Sequence, residues 1–147
     1  MKKLVFLTII VMIGVYTASG KADLSEYQWK NRLIVILTDD AENPILEKQQ
    51  TAFEKEKAGM AERKLLVFLI FPEKDKEFVK KTSGMIFSDE LYSKYKKHDK
   101  PYQIHLLGLD GRIKLSQTGY LSTRKLFSII DAMPMRREEI RRMKKEE

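Results

Sequence analysis

The chain contains no cysteine. Disulfides, thiolate nucleophiles and Cys-ligated metals are therefore excluded, and stability has to come from the core. Histidine is scarce: only His98 and His105 are present, and no carboxylate stands at zinc-site spacing from either. A Gly-x-Ser-x-Gly elbow, a phosphate-binding Gly-rich loop and a dinucleotide fingerprint are all missing. Internal repeats and low-complexity linkers are missing too. Tryptophan occurs once, at Trp29. With 147 residues and 43% hydrophobic content, what remains is enough for one domain with a core of its own.

The N-terminus has the three-part pattern of a secretory signal. Met1-Lys2-Lys3 is basic, Leu4 to Val15 is apolar apart from Thr8 and Gly14, and Thr17-Ala18-Ser19-Gly20 supplies small residues. Cleavage is expected after Gly20 or after Ala22, which makes residues 1–20 a signal peptide and the product periplasmic or extracellular. Membrane association is expected only if this segment stays uncleaved, and it is short for a span. The full chain carries +7. Without Lys2 and Lys3 the balance is 26 Lys+Arg against 21 Asp+Glu, or +5. Such a chain binds polyanions weakly by default, and simple solubility is the leading reading of the charge. Outside the cytoplasm nucleic acid is not an expected partner; if a polyanion is met there, anionic lipid headgroups or polyanionic glycans fit better.

Two apolar runs, Arg32 to Leu37 and Leu65 to Phe71, have the length and continuity of strands buried on both faces. Between them, Asn43 is placed to cap a helix that starts at Pro44 and carries Ile45, Leu46, Gln49, Ala52 and Phe53 at helical spacing, as far as about Gly59. Strand, helix and strand make a right-handed unit with parallel strands. Glu73 to Gly84 reads as a charged loop or short helix, and Ser88 to Lys97 as a helix. Tyr102 to Leu107 and Ile113 to Thr118 read as strands joined at Asp110-Gly111, a strong hairpin signal. Ser122 can cap a last helix carrying Leu126, Ile129, Ile130 and Met133, which Pro134 ends or kinks. Glu138 to Glu147 is polar all round, a solvated helix or a frayed tail. Met135 to Glu147 holds six Lys/Arg and four Glu. Leu24, Tyr27 and Trp29 read as apolar anchors of a lead-in segment. The predicted fold is α/β, with a four-stranded mixed sheet in thioredoxin-like order: a β-α-β unit over a 24–134 domain, a β-hairpin, and a closing helix followed by a charged 135–147 tail or helix.

Three stretches carry a family resemblance: Tyr27-Gln28-Trp29-Lys30-Asn31-Arg32-Leu33-Ile34-Val35, Gly108-Leu109-Asp110-Gly111-Arg112-Ile113-Lys114 and Ile130-Asp131-Ala132-Met133-Pro134-Met135-Arg136. Over roughly Leu24 to Arg142 the chain resembles the domain of unknown function 4174, a domain similar to modules of animal extracellular-matrix and sushi-repeat proteins. The resemblance implies a thioredoxin-like fold in secreted or periplasmic proteins and implies no activity. Where the family often has a basic residue before the Asp-Gly, this chain has Leu109.

In thioredoxin-like enzymes the redox cysteines follow the first core strand. Here that place is Thr38 to Pro44, with Asp39, Asp40, Glu42 and Asn43. Carboxylates and amides at a helix N-terminus are read as caps, and a divalent-cation site is the competing reading. A thiol-disulfide oxidoreductase is excluded. His98 reads as a surface residue and His105 as lying on a half-exposed strand face. Pro101 reads as a loop-to-strand break, with trans as its default geometry. Asp131, Arg136 and Arg137, with Arg32 and Trp29, form the candidate binding patch. The patch has two readings. One is an arginine fork for an anion beside a methionine surface. The other is a helix stop in which Asp131 pairs with Arg136 or with Arg32. No metal ligand set and no cofactor are expected. The leading expectation is a redox-inactive binding module for an envelope or extracellular protein. The alternatives are a metal-assisted hydrolase using Asp39, Asp40 or His105, and a basic envelope-associated protein whose tail meets anionic lipid.

Overall fold

A computed structural model describes residues 23–77, 79–80 and 82–147. The signal expected at residues 1–20 lies outside the described residues. Five strands form one sheet in the order β3-β2-β1-β4-β5. They are β1 (Arg32–Thr38), β2 (Leu65–Phe71), β3 (Met85–Phe87), β4 (Tyr102–Leu107) and β5 (Ile113–Gln117). The strands β1, β2 and β3 run parallel, while β4 pairs antiparallel with both β1 and β5.

The fifth strand, β3, is an addition to the four expected. Its three residues pair Met85 with Leu69, Ile86 with Ile70 and Phe87 with Phe71. A three-residue strand is too short to show a period in the sequence.

The central strands are apolar on both sides because both faces are covered. Ile34 and Ile36 of β1 join Leu69, Phe71, Ile104 and Leu106 on one face. There they meet Leu46 and Phe53 of α1 (Pro44–Lys55), Met60 of α2 (Lys57–Glu62), and Leu126 and Ile130 of α4 (Thr123–Asp131). Leu33, Val35 and Leu37 point the other way, toward Leu24 and toward Leu91 and Tyr95 of α3 (Asp89–Tyr95).

The caps behave as their chemistry requires. Asn43 Oδ1 accepts from the Ile45 N–H, Ser88 Oγ from Leu91 and Ser122 Oγ from Lys125. The first helix does not run to Gly59, however. It ends at Lys55, and α2 starts one residue later. Gly59 lies inside α2 as a close-approach site rather than a stop signal. A Cβ there would sit 2.7 Å from the Phe127 ring of α4. Pro134 likewise starts a helix instead of only ending one. Met133 is extended, as a residue before proline prefers, and α5 (Pro134–Glu146) begins on the proline. Glu138 to Glu147 is therefore helical as far as Glu146.

Gln49 locks α1 to the segment before α4. Its amide donates to the Leu121 carbonyl and accepts the Leu121 N–H, both at 2.8 Å, with no part of the side chain exposed. Leucine at this position would leave two backbone groups unpaired in a dry core. We expect Gln49→Leu to cost about 2 kcal/mol, read as a lower denaturant midpoint at unchanged m-value.

Candidate functional site

The two ends of β1 differ in character, and they lie about 20 Å apart at the usual rise of a strand. At its C-terminal end the Thr38–Pro44 segment closes on itself. The Thr38 hydroxyl donates to the Asp40 carbonyl at 2.9 Å and accepts the Asp40 N–H at 3.1 Å. Asp40 Oδ1 accepts the Glu42 N–H at 2.9 Å, and Asn43 is spent on its cap. Among the described residues no group of three or more His, Cys, Asp or Glu gathers at metal-binding distance. No cis peptide occurs among the described residues, so Pro101 is trans.

His105 is not half-exposed. It lies on the β4 face that α3 covers, with no exposed surface, and its ring nitrogens make no hydrogen bond of good geometry. Burial lowers its pKa to about 4. The Tyr95 carbonyl opposes the shift, while His98 and Lys97 add to it. Beside it Gln103, also fully buried, shapes the loop before β4. Its oxygen accepts the Lys97 and His98 N–H groups, and its amide donates to the His98 and Lys100 carbonyls.

At the N-terminal end of β1 the candidate residues gather. Arg32 and Arg136 are each 1% exposed. Arg32 forks onto Glu139, with its two terminal nitrogens 3.2 and 3.3 Å from the carboxylate oxygens, and also donates to the Arg63 carbonyl. Arg136 binds Glu139 at 3.2 Å, Asp131 at 3.3 Å, and both the carboxylate and the carbonyl of Glu62. Arg63 holds Asp131 with bonds of 3.0 and 2.6 Å and stacks on Phe127, its guanidinium carbon 4.1 Å from the ring centre. Lys64 completes the cluster, 3.9 Å from Glu139.

Asp131 thus pairs with Arg136 and Arg63, while Arg32 takes Glu139 instead. Burial alone would raise the Asp131 carboxyl, but the hydrogen bonds from Arg63 and Arg136 outweigh it and hold the pKa low. Glu139 follows the same balance, with Arg32 as the chief opponent of burial. This network pins α5 to the starts of β1 and β2 and to the end of α4. Sequence reading missed Glu62, Arg63 and Glu139. One signal was available: a cation stands at the start of β1, as Arg32, and two stand just before β2, as Arg63-Lys64.

Arg137 is exposed and outside the network. Trp29 is no core anchor, since it is 63% exposed. Its backbone sits at φ +65, a left-handed conformation that costs an L-residue roughly 1–2 kcal/mol. Two neighbours enforce it. The Trp29 N–H donates to the Leu109 carbonyl at 2.6 Å, and Gln28 Nε2 donates to the Asp110 carbonyl at 3.0 Å. Gly111, at φ +75, lets the β4–β5 turn bend under Gln28. Leu109 is buried and supplies that carbonyl. Hydropathy alone counts tryptophan as core, so this exposure was not legible in the sequence.

The family model described as Domain of unknown function (DUF4174) matches residues 23–139. Among solved structures, the chain is similar to the reduced 2-Cys peroxiredoxin of Plasmodium vivax, with TM-score 0.55, 17% identity, and coverage of 81% of this chain and 86% of that one. It is also similar to the exposed lipoprotein thioredoxin of Streptococcus pneumoniae, with TM-score 0.54, 10% identity, and coverage of 74% and 89%. StoA of Bacillus subtilis aligns at TM-score 0.50 and 15% identity over 67% of this chain and 81% of that one. Identities this low show the fold alone. Among curated proteins, none matches the chain. The fold is thioredoxin-like, and the chain belongs to the DUF4174 family.

Proposed function

We propose that the chain is an exported, redox-inactive thioredoxin-like domain that works as a binding module through the end of the sheet opposite the usual redox position. One observation carries this reading: the only tryptophan stands in water on a strained backbone that two neighbours hold in place. Strain that the surrounding structure over-determines is a pointer to use, because stability alone would select Asn or Gly there. The large exposed aromatic is the kind of side chain that dominates binding surfaces. The Thr38–Pro44 segment has neither a thiol nor a free cap, which supports placing activity elsewhere. Export rests on the basic, apolar and small-residue pattern of the first 20 residues.

The test is crosslinking with mass spectrometry in the native cell, comparing wild type with Trp29→Asn. Asparagine suits a left-handed backbone, so the variant is expected to be as stable as wild type or more stable by up to about 1 kcal/mol. Recovery of crosslinked partners is expected to fall at least tenfold. An unchanged partner profile would remove Trp29 from the binding surface.

A further inference from the structure

We infer that the Trp29 surface takes an acidic polysaccharide, a polymer of pyranose rings bearing carboxylate or sulfate groups; this rests on the binding role proposed for that surface. The first reason is the company the indole keeps. Gln28, Lys30 and Asn31 flank it in the chain, and the Asp110-Gly111-Arg112 turn holds it from across the sheet end. Its chain neighbours Gln28 and Lys30 are polar and exposed. The other large hydrophobics exposed among the described residues, Met135 and Met143, are on α5. A flat apolar face in a polar setting matches a sugar ring, whose C–H face packs on an aromatic while its rim of hydroxyls meets amides and water.

The second reason is charge. Lys30 and Arg112 make no ion pair within 4 Å among the described residues. Of the two carboxylates lining the neighbouring cleft, Asp110 is engaged by Lys114 at 2.8 Å and by the Arg112 N–H at 3.1 Å, and Asp23 accepts the Ser25 N–H at 3.0 Å. Against these two unpaired cations stands one unpaired carboxylate, Glu26, so the balance beside the indole is positive, as it is for the chain without Lys2 and Lys3, at +5. The third reason is shape. The neighbouring cleft, lined by Tyr27, Gln28, Asn31 and Gly111 among others, holds only about 160 Å³. That is too small to enclose a sugar chain, so the ligand lies across the surface, which suits a polymer better than a free monosaccharide.

Trp29 is its own reporter, being the single tryptophan of the chain. The full chain is titrated at 150 mM salt with polygalacturonate, dextran sulfate and neutral dextran, following tryptophan emission. A saturable change is expected with at least one acidic polymer and none with neutral dextran. Affinity electrophoresis then compares variants: Trp29→Asn and the Lys30→Ala/Arg112→Ala pair are each expected to bind at least tenfold more weakly. Equal binding by Trp29→Asn would mean unspecific adhesion to lysines and arginines, and would overturn the inference. So would equal binding of neutral dextran, or no binding of either acidic polymer. If no polymer binds while cellular crosslinks still require Trp29, only the saccharide inference fails. If the crosslinks do not require Trp29 either, the binding role fails with it.

Discussion

Arg136→Ala is expected to destabilise the domain by roughly 3 kcal/mol, the low end for breaking a buried ion pair, because its carboxylate partners are only partly buried. The guanidinium is 1% exposed and is shared among Glu62, Asp131 and Glu139. Removing it withdraws one donor from Glu139 and one from Asp131, each of which helps offset their desolvation. It also leaves the Glu62 carbonyl without its 3.2 Å donor. Arg136→Lys should recover only part of the loss, since a point charge cannot reach three acceptors in the plane of a guanidinium. Denaturant unfolding checks both variants. A shift below 1 kcal/mol for Arg136→Ala would show that the network is ornamental to stability. A double-mutant cycle between Arg32 and Arg136 should show coupling through their common partner Glu139.

Acid should weaken the fold well before its carboxylates titrate. His105 is buried and neutral, with its pKa lowered from 6.5 to about 4. Between those values the unfolded chain binds a proton that the folded chain refuses. The contribution is thus fully present above pH 6.5 and is lost as pH falls through 4. At about 1.4 kcal/mol per unit the loss approaches roughly 3 kcal/mol. His105→Leu should flatten this part of the stability-pH curve. Below about pH 4.5 a second slope is expected. Asp131 and Glu139 have depressed pKa values, so their contribution exists above the unfolded carboxylate range and vanishes as acid protonates them. The two slopes can be separated by urea melts at pH 7, 5 and 4. A curve for His105→Leu that parallels wild type between pH 6.5 and 4.5 would contradict the assignment.

Much of the fold was legible in the sequence, for a physical reason. Strands covered on both faces must be continuously apolar, so β1 and β2 announce themselves. Asn43-Pro44 and Ser122 announce helix starts because orphan N–H groups need those side chains. Features set by tertiary contact were not legible. Gly59 reads as a stop until Phe127 is found against it. His105 reads as half-exposed until α3 and the Gln103-held loop cover its face.

The site was half legible for the same reason. Asp131 and Arg136 stand five residues apart in one motif, and their pairing was readable. Arg32 and Glu139 are 107 positions apart, and Arg63 and Asp131 are 68 apart, so their pairing appears only once the sheet is built. Of the five residues read as a binding patch, Asp131, Arg32 and Arg136 are engaged inside the network, whereas Trp29 and Arg137 are left facing solvent. The Ile130–Arg136 motif thus fastens α5 to the strand starts, at the end of the sheet where the Leu109 carbonyl and Gln28 hold Trp29.

The Trp29 end of the sheet, not the Thr38–Pro44 segment, is proposed to meet partners. In-cell crosslinking of Trp29→Asn beside Asp39→Ala tests it most directly, because both side chains are exposed and they stand at opposite ends of β1. Loss of partners with Trp29→Asn and a wild-type profile with Asp39→Ala is the predicted result. Partners lost with Asp39→Ala and kept with Trp29→Asn would contradict it.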